Sequence, residues 1–268
     1  MIDLHCHLLP GLDDGSPDFA TSLAMAKLAV ADGITDIACT PHITPGVYDN
    51  SSATIRPLIE TLVAMLDSEG IGLKLWMGAD VHVAPDLVAK LGSGFVPTLA
   101  GSRYFLLEPP HQVVPQRLDE LVRSLIQAGF VPLITHPERL GWIESHYEMI
   151  ERMLKYGALV QLTAGSLTGG FGRRAQYWSE RLLDKGLVDI VASDAHNITG
   201  RQPTLSAAVE VIAGRLGDAA AMELVLHRPA AILRNEELSA HRRPIPPQTT
   251  IKRREGTRLA SWVKRLRG

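Results

Sequence analysis

A chain of 268 residues, 46% of them hydrophobic, fits one large globular domain or two small ones, and barrels of alternating strand and helix often reach this size undivided. Its 27 Lys/Arg and 29 Asp/Glu give a net charge of −2, but residues 241–268 hold nine basic groups against Glu255 alone; the first 240 residues therefore carry −10, which argues against a nucleic-acid-binding catalytic face. Cys6 and Cys39 are too few for a disulfide framework and point to a reducing, cytoplasmic setting, and the first strand starts at Ile2, which leaves no room for a signal peptide.

The opening stretch, MIDLHCHLLPGLDD, sets His5, His7, Asp13 and Asp14 directly after a short apolar strand. Side chains alternate faces in extended chain, so His5 and His7 point one way and Cys6 the other. Two imidazoles with a carboxylate a turn later form half of a metal site of the kind that suits zinc, manganese or iron. A lone HxH also arises by chance, so the downstream pattern decides. Residues 16–31 carry apolar residues at helical spacing, with Ser16 as N-cap, Pro17 at N1 and Gly33 as the stop. A strand over 35–40 ends in Pro41 and His42, a helix follows over 52–68, and a strand over 72–79 delivers Asp80 and His82. The alternation continues with strand 104–107 ending in Glu108, helix 118–128, strand 131–135 ending in His136, helix 143–156, strand 158–163, helix 173–185, and strand 189–193 ending in Asp194 and His196. Segments 203–226, divided at Gly217, and 230–233 read as closing helices. Beyond 240 the composition shifts to Pro and Arg, so the expected domains are 1–240 and a basic tail, 241–268.

Such alternation predicts an α/β fold: seven parallel strands with helices outside, closing as a barrel one strand short of the eight-fold version. Six of the seven strands deliver a His, Asp or Glu at the C-terminal end, the face on which barrels assemble chemistry. One such residue reads as an isolated loop polar; six in phase with the strands do not. The seventh strand offers Gln161 and Thr163, expected to support ligands or touch substrate. The candidate ligands are His5, His7, Asp14, His42, Asp80, Glu108, His136, Asp194 and His196. They exceed the needs of one ion and suit two or three divalent cations, with carboxylates such as Glu108 bridging. A cluster of this kind brings a water's pKa toward neutrality and neutralises phosphate oxygens, so phosphate-ester hydrolysis is its natural use.

The motifs MIDLHCHLLPGLDDGS, TPHITP, LEPP, THPER and SDAHN, in this order and at these separations, resemble the bacterial metal-dependent tyrosine-protein phosphatases of the polymerase-and-histidinol-phosphatase (PHP) superfamily found in capsular and exopolysaccharide operons. The resemblance covers about residues 1–234. It implies a distorted, TIM-barrel-like (β/α)7 barrel, a site of two to three metal ions with manganese first and iron or zinc behind it, and a tyrosine autokinase controlling polysaccharide export as substrate. Carried over, it implies that His5, His7, Glu108 and Asp194 hold the first ion with Glu108 shared. His42, His136, Asp14, Asp80 and His196 then complete the others, and Arg139 and Arg201 clamp phosphate. The family commonly has glutamate where this chain has Asp80, one methylene shorter; His82 shares its strand face but reads first as a strand-end polar.

In the tail, Leu259, Trp262, Val263 and Leu266 fall at i, i+3, i+4 and i+7 among Arg258, Lys264, Arg265 and Arg267. That is a short basic amphipathic helix suited to peripheral contact with an anionic membrane, or else a solvated end. Two competing readings keep the same residues: a small-molecule phosphatase of the histidinol-phosphatase type, and a non-enzymatic metal-binding interaction protein, which leaves Arg139 and Arg201 without purpose.

Overall fold

A computed structural model describes residues 1–238. The basic tail and its amphipathic segment lie outside the described residues. In chain order the elements are β1 (Ile2–Cys6), α1 (Phe19–Asp32), β2 (Asp36–Cys39), β3 (His42–Ile43), α2 (Ser52–Ser68), β4 (Lys74–Met77), β5 (Asp80–His82), α3 (Leu87–Gly92), β6 (Tyr104–Glu108), α4 (Leu118–Gln127), β7 (Val131–Thr135), α5 (Tyr147–Tyr156), β8 (Leu159–Thr163), α6 (Ala164–Leu167), α7 (Gly172–Asp184), β9 (Ile190–Ala192), α8 (Ser206–Leu216), α9 (Asp218–Met222) and α10 (Arg228–Leu233). No helix among the described residues is long and apolar enough to cross a membrane.

All ladders between these strands are parallel. They form a three-stranded sheet, β1-β2-β4, and a six-stranded sheet, β3-β5-β6-β7-β8-β9. Cys6 bridges to Ala195, and the Asp194 N–H donates to the His5 carbonyl at 2.8 Å, so β1 lies beside the chain leaving β9. Asp3 reinforces this seam from a fully buried position, accepting from the Ser193 N–H at 3.0 Å and from the Ser193 hydroxyl.

The expected count of seven strands is corrected to nine because two strands break. Pro41 has no N–H for a ladder and separates β2 from β3. Gly78 separates β4 from β5; a Cβ there would stand 2.8 Å from Leu99 Cδ2 and 3.1 Å from Thr40 Cγ2, so the chain bends where only glycine fits. Each break moves the chain from the small sheet to the large one.

Helix ends follow local chemistry. Asp18, not Ser16, caps α1, accepting from the Thr21 N–H at 2.7 Å; the Ser16 hydroxyl instead donates to the Asp18 carbonyl at 2.8 Å. Gly33 ends α1 at φ 92°, a left-handed conformation that glycine adopts without penalty. α5 begins at Tyr147, later than its periodicity suggested, because Trp142 Nε1–H donates to the Pro110 carbonyl at 2.9 Å and holds the preceding residues as turns.

Two apolar clusters lie on opposite faces of the strands. The larger, including Phe105, Leu107, Ile134, Val160 and Val191, packs under the helices. The smaller gathers Ile2, Leu4, Ala38, Tyr104, Leu106, Leu133, Leu159 and Ile190 on the other face. Continuing along that face, period-two alternation leads from Leu106 to Glu108 and from Leu159 to Gln161 and Thr163. In β1 the register slips between Asp3 and Cys6, an extra residue that lets Leu4 join the smaller cluster while Cys6 packs with the larger one. His5 and His7, of the parity opposite to Cys6, are thereby aimed at the polar layer above Leu4.

Candidate metal centre and phosphate clamp

Six strands bring their polar residues together in that layer. His5 and His7 come from β1, His42 from the start of β3, Asp80 from the start of β5, Glu108 from the end of β6, His136 from just after β7, and Asp194 and His196 from just after β9; Asp14 reaches in from the loop after β1. His136 at φ 34° and Asp194 at φ 52° hold left-handed backbone without being glycine, a conformation costing roughly 1–2 kcal/mol each. Each turns the chain sharply at a strand end and leaves a buried side chain in the site.

The donor atoms form overlapping groups. His5 Nε2 is 3.2 Å from His7 Nε2 and 3.3 Å from both Asp80 Oδ2 and Asp194 Oδ1. His42 Nδ1 stands 3.4 Å from Asp80 Oδ2 and 3.3 Å from Glu108 Oε2, while Asp14 Oδ1 lies 3.6 Å from His42 Nε2 and 3.4 Å from His196 Nε2. His136 Nε2 is 3.7 Å from Glu108 Oε1. Most of these separations exceed the usual 2.9–3.0 Å of an N–H···O bond. They match the roughly 3–3.6 Å expected between two atoms bound to one cation at about 2.0–2.2 Å. Asp80 strengthens the fit: it is fully buried, and neither oxygen has a hydrogen-bond partner. A carboxylate so placed is costly unless a cation meets it. The nitrogen and oxygen donors, with no thiolate among them, suit manganese, iron or zinc.

Donor groups able to hold an ion are His7/Asp14/His42/His196, His5/His7/Asp80, His5/His136/Asp194, His42/Asp80/Glu108 and Glu108/His111/His136. All nine expected residues occur in them. Glu108, however, groups with His42, Asp80, His111 and His136, not with His5 and His7, because β6 pairs with β5 and β7, away from β1. His82 belongs to none of these groups.

Neighbouring groups orient the imidazoles. His7 Nδ1–H donates to Asp13 Oδ2 at 2.6 Å, His5 Nδ1–H to Gln161 Oε1 at 3.0 Å, and His196 Nδ1–H to the Asp194 carbonyl at 3.0 Å. Each Nε2 therefore faces the site. Asp13 also accepts from the His42 N–H at 2.8 Å and the Gly15 N–H at 2.9 Å. Burial opposes its charge, but the bonds from His7, His42 and Gly15 prevail and hold its pKa well below the carboxylate range. Burial likewise opposes protonation of His5, yet Asp194 and Asp80 raise its pKa to about 9; for His42, Glu108 and the other nearby carboxylates overcome burial and raise it to about 10. Burial and Arg139 depress His136, and burial and His7 depress His196.

Arg139, in the turn Pro137–Arg139 after β7, and Arg201, in the loop after His196, both donate to Asp194 Oδ2, Arg201 at 2.6 Å. Asp194 Oδ1 faces His5, His7 and His196. One carboxylate thus joins the cation-binding side to a pair of guanidinium forks whose geometry suits phosphate. Three participants escaped the sequence reading. Asp13 stood beside Asp14 without an assigned role; His111, with Nε2 3.4 Å from Glu108 Oε1, lies three residues past the LEPP glutamate; Phe171 packs against both arginines and had no signal at all.

A family model described as capsular polysaccharide synthesis, CpsB/CapC, matches residues 1–234. The chain is 36% identical over 258 residues to the tyrosine-protein phosphatase YwqE of Bacillus subtilis (strain 168), covering 95% of this chain and 98% of that protein. It is 26% identical over 241 residues to the tyrosine-protein phosphatase CpsB of Streptococcus pneumoniae, covering 88% and 99%. Among solved structures, a chain from the work on YwqE from Bacillus subtilis and CpsB from Streptococcus pneumoniae, described as unique metal-dependent tyrosine phosphatases, matches with a TM-score of 0.86 at 34% identity, over 94% of this chain and 100% of that one.

Proposed function

The chain belongs to the CpsB/CapC family of capsular polysaccharide synthesis, and on that premise we propose that it is a metal-dependent protein-tyrosine phosphatase. The observation that carries this reading is the buried Asp80 carboxylate, which has no hydrogen-bond partner, among donor atoms at metal-ligand spacing, one carboxylate away from two arginines. His5, His7, Asp14, His42, Asp80, Glu108, His136, Asp194 and His196 would hold two to three divalent ions, manganese first. Bound there, such ions supply Lewis-acid charge to phosphate and a water of lowered pKa. Arg139 and Arg201 bind phosphate oxygens and stabilise the charge that spreads over them in the transition state. Asp13, Gln161 and the Asp194 carbonyl keep the imidazole Nδ1 protons away from the reacting face. A tyrosine leaves as a phenolate of pKa ~10, so little general-acid help is required.

The site's mouth favours a protein substrate over a small polar ester. His42, Glu108 and His111 line a cleft of about 340 Å³, edged by Val47 and Val113, which are 68% and 67% exposed. Apolar side chains held out at the entrance suit a peptide that carries the phosphotyrosine. A tyrosine autokinase of polysaccharide export is the partner this implies. The barrel belongs to the same reading: β1 beside the chain leaving β9 supports closure of the two sheets into one distorted (β/α)7 barrel. Free, buried Cys6 and Cys39 suit the cytoplasm.

The test is hydrolysis of a phosphotyrosine peptide and of histidinol phosphate by metal-stripped protein refilled with manganese, alongside His5→Ala and Arg139→Ala. Metal-restored turnover of the peptide, lost in both variants, is expected. Selective turnover of histidinol phosphate would move the protein to the small-molecule branch, and no turnover of either would reject the phosphatase reading.

A further inference from the structure

Phe171 lies just before α7, half-buried and outside every donor group. The guanidinium carbon of Arg139 stands 4.3 Å from its ring centroid and that of Arg201 5.7 Å. The same two guanidiniums meet on Asp194 Oδ2. Two cations thus share one carboxylate oxygen and one aromatic ring.

The ring is itself fixed. A Cβ on Gly165 would fall 2.9 Å from Phe171 Cε2, so the ring sits against backbone that has no side chain to keep it away. The Gly170 N–H donates to the Gly165 carbonyl at 2.8 Å and closes the turn leading to Phe171. Phe171 and Arg201 also line a common cavity of about 190 Å³ with Gly165 and Ser193.

An aromatic face attracts cations through its quadrupole, and the planar guanidinium is the side chain best shaped to lie against it. Two arginines brought to one phosphate repel each other and have long side chains to immobilise. A rigid ring touching both offsets the repulsion and reduces the freedom lost when phosphate binds. We propose that Phe171 is a positioning residue, an aromatic platform that pre-aims Arg139 and Arg201 as one phosphate clamp. This rests on the phosphatase reading and adds the element that sets the clamp's geometry.

The experiment uses the full-length protein loaded with manganese, wild type beside Phe171→Leu, Phe171→Tyr and Gly165→Ala. It measures kcat and KM for p-nitrophenyl phosphate and, by calorimetry, the Kd of inorganic phosphate. Phe171→Leu keeps bulk and removes the ring face, so KM and phosphate Kd are expected to rise about tenfold with a smaller change in kcat. Phe171→Tyr restores both, and Gly165→Ala, which pushes the ring away without removing it, weakens phosphate in the same direction. Melting curves and manganese titrations stay at wild-type values for Phe171→Leu. Wild-type KM and phosphate Kd in Phe171→Leu would overturn the proposal, as would equal losses in Phe171→Leu and Phe171→Tyr, which would mean packing alone. A wild type without turnover of any aryl phosphate would reject the phosphatase reading instead, while phosphate calorimetry on the same proteins still decides the role of Phe171.

Discussion

Asp13 offers the sharpest test of how the site is held, because it touches candidate ligands without being counted among them. Its Oδ2 accepts from His7 Nδ1 at 2.6 Å and from the His42 N–H at 2.8 Å, and its Oδ1 accepts from the Gly15 N–H at 2.9 Å. In Asp13→Asn the amide oxygen can serve His7 and His42 only if the NH2 faces the Gly15 N–H, which loses one charge-assisted bond of about 1.5–3 kcal/mol. The reverse orientation sets the NH2 against two donors and is worse. The His7 tautomer therefore survives in the better orientation, but its ring loses the carboxylate that makes Nε2 a stronger donor. Removal of such a supporting partner costs about 10- to 100-fold in metal affinity. Asp13→Asn belongs at the low end of that range, and Asp13→Ala, which leaves all three donors without this acceptor, at the high end. The assay titrates metal-stripped wild type and both variants with manganese, following phosphotyrosine-peptide turnover and melting temperature. Activity should return in both at elevated manganese. An unchanged manganese midpoint in Asp13→Ala, or activity that no manganese concentration restores, would refute the orienting role.

Gly15→Ala should destabilise the protein by about 1–3 kcal/mol, read from urea unfolding, because a Cβ there would lie 2.4 Å from the His7 carbonyl and 2.5 Å from His7 Cβ; it should also weaken manganese binding. Arg139→Lys keeps the charge but loses the planar fork, so kcat/KM on a phosphotyrosine peptide should fall about tenfold to a hundredfold, and activity near wild type would show that charge alone suffices. His5 and His42, raised from an ordinary 6.5 to about 9 and about 10, hold protons in the metal-free protein at pH 7.5, and manganese loading should release two protons into a weak indicator buffer. The sign for stability follows: the contribution of these histidines to the metal-free fold is full below pH 6.5, declines above it and is gone past about 9 to 10, so the melting temperature should fall across that window in metal-free protein.

The parts of this site legible in the sequence are those that obey a period. Donors at strand ends follow from βα alternation, and β7, from Val131 to Thr135 with His136 beyond, came directly from an apolar run and its polar successor. What escaped depends on contacts between segments distant in sequence. Gly78 breaks a strand only because Leu99 and Thr40 crowd it, and the register slip in β1 is visible only against β2. Asp13 could not be separated from Asp14 by spacing; the fold turns Asp13 inward to three donors and leaves Asp14, 52% exposed, to reach His42 and His196. Phe171 meets its arginines across gaps of about thirty residues of chain, which no local pattern records.

The position of Asp194 ties these features into one electrostatic argument. Without cations, its two oxygens and those of Asp80 and Glu108 must be balanced from within the protein, and the available positive groups are protonated His5 and His42 on one side and Arg139 and Arg201 on the other. The pKa values of both histidines are high because they serve as those counter-charges. Divalent ions would take over that duty and discharge the histidines. They would also compete with the guanidiniums for the charge of Asp194, weakening the arginines' internal partner just where a phosphate needs them. On this logic metal loading and phosphate affinity would be coupled through one carboxylate. A residue that keeps the arginines together as their hold on Asp194 weakens then has a physical purpose, and Phe171, like Asp194, is in contact with both.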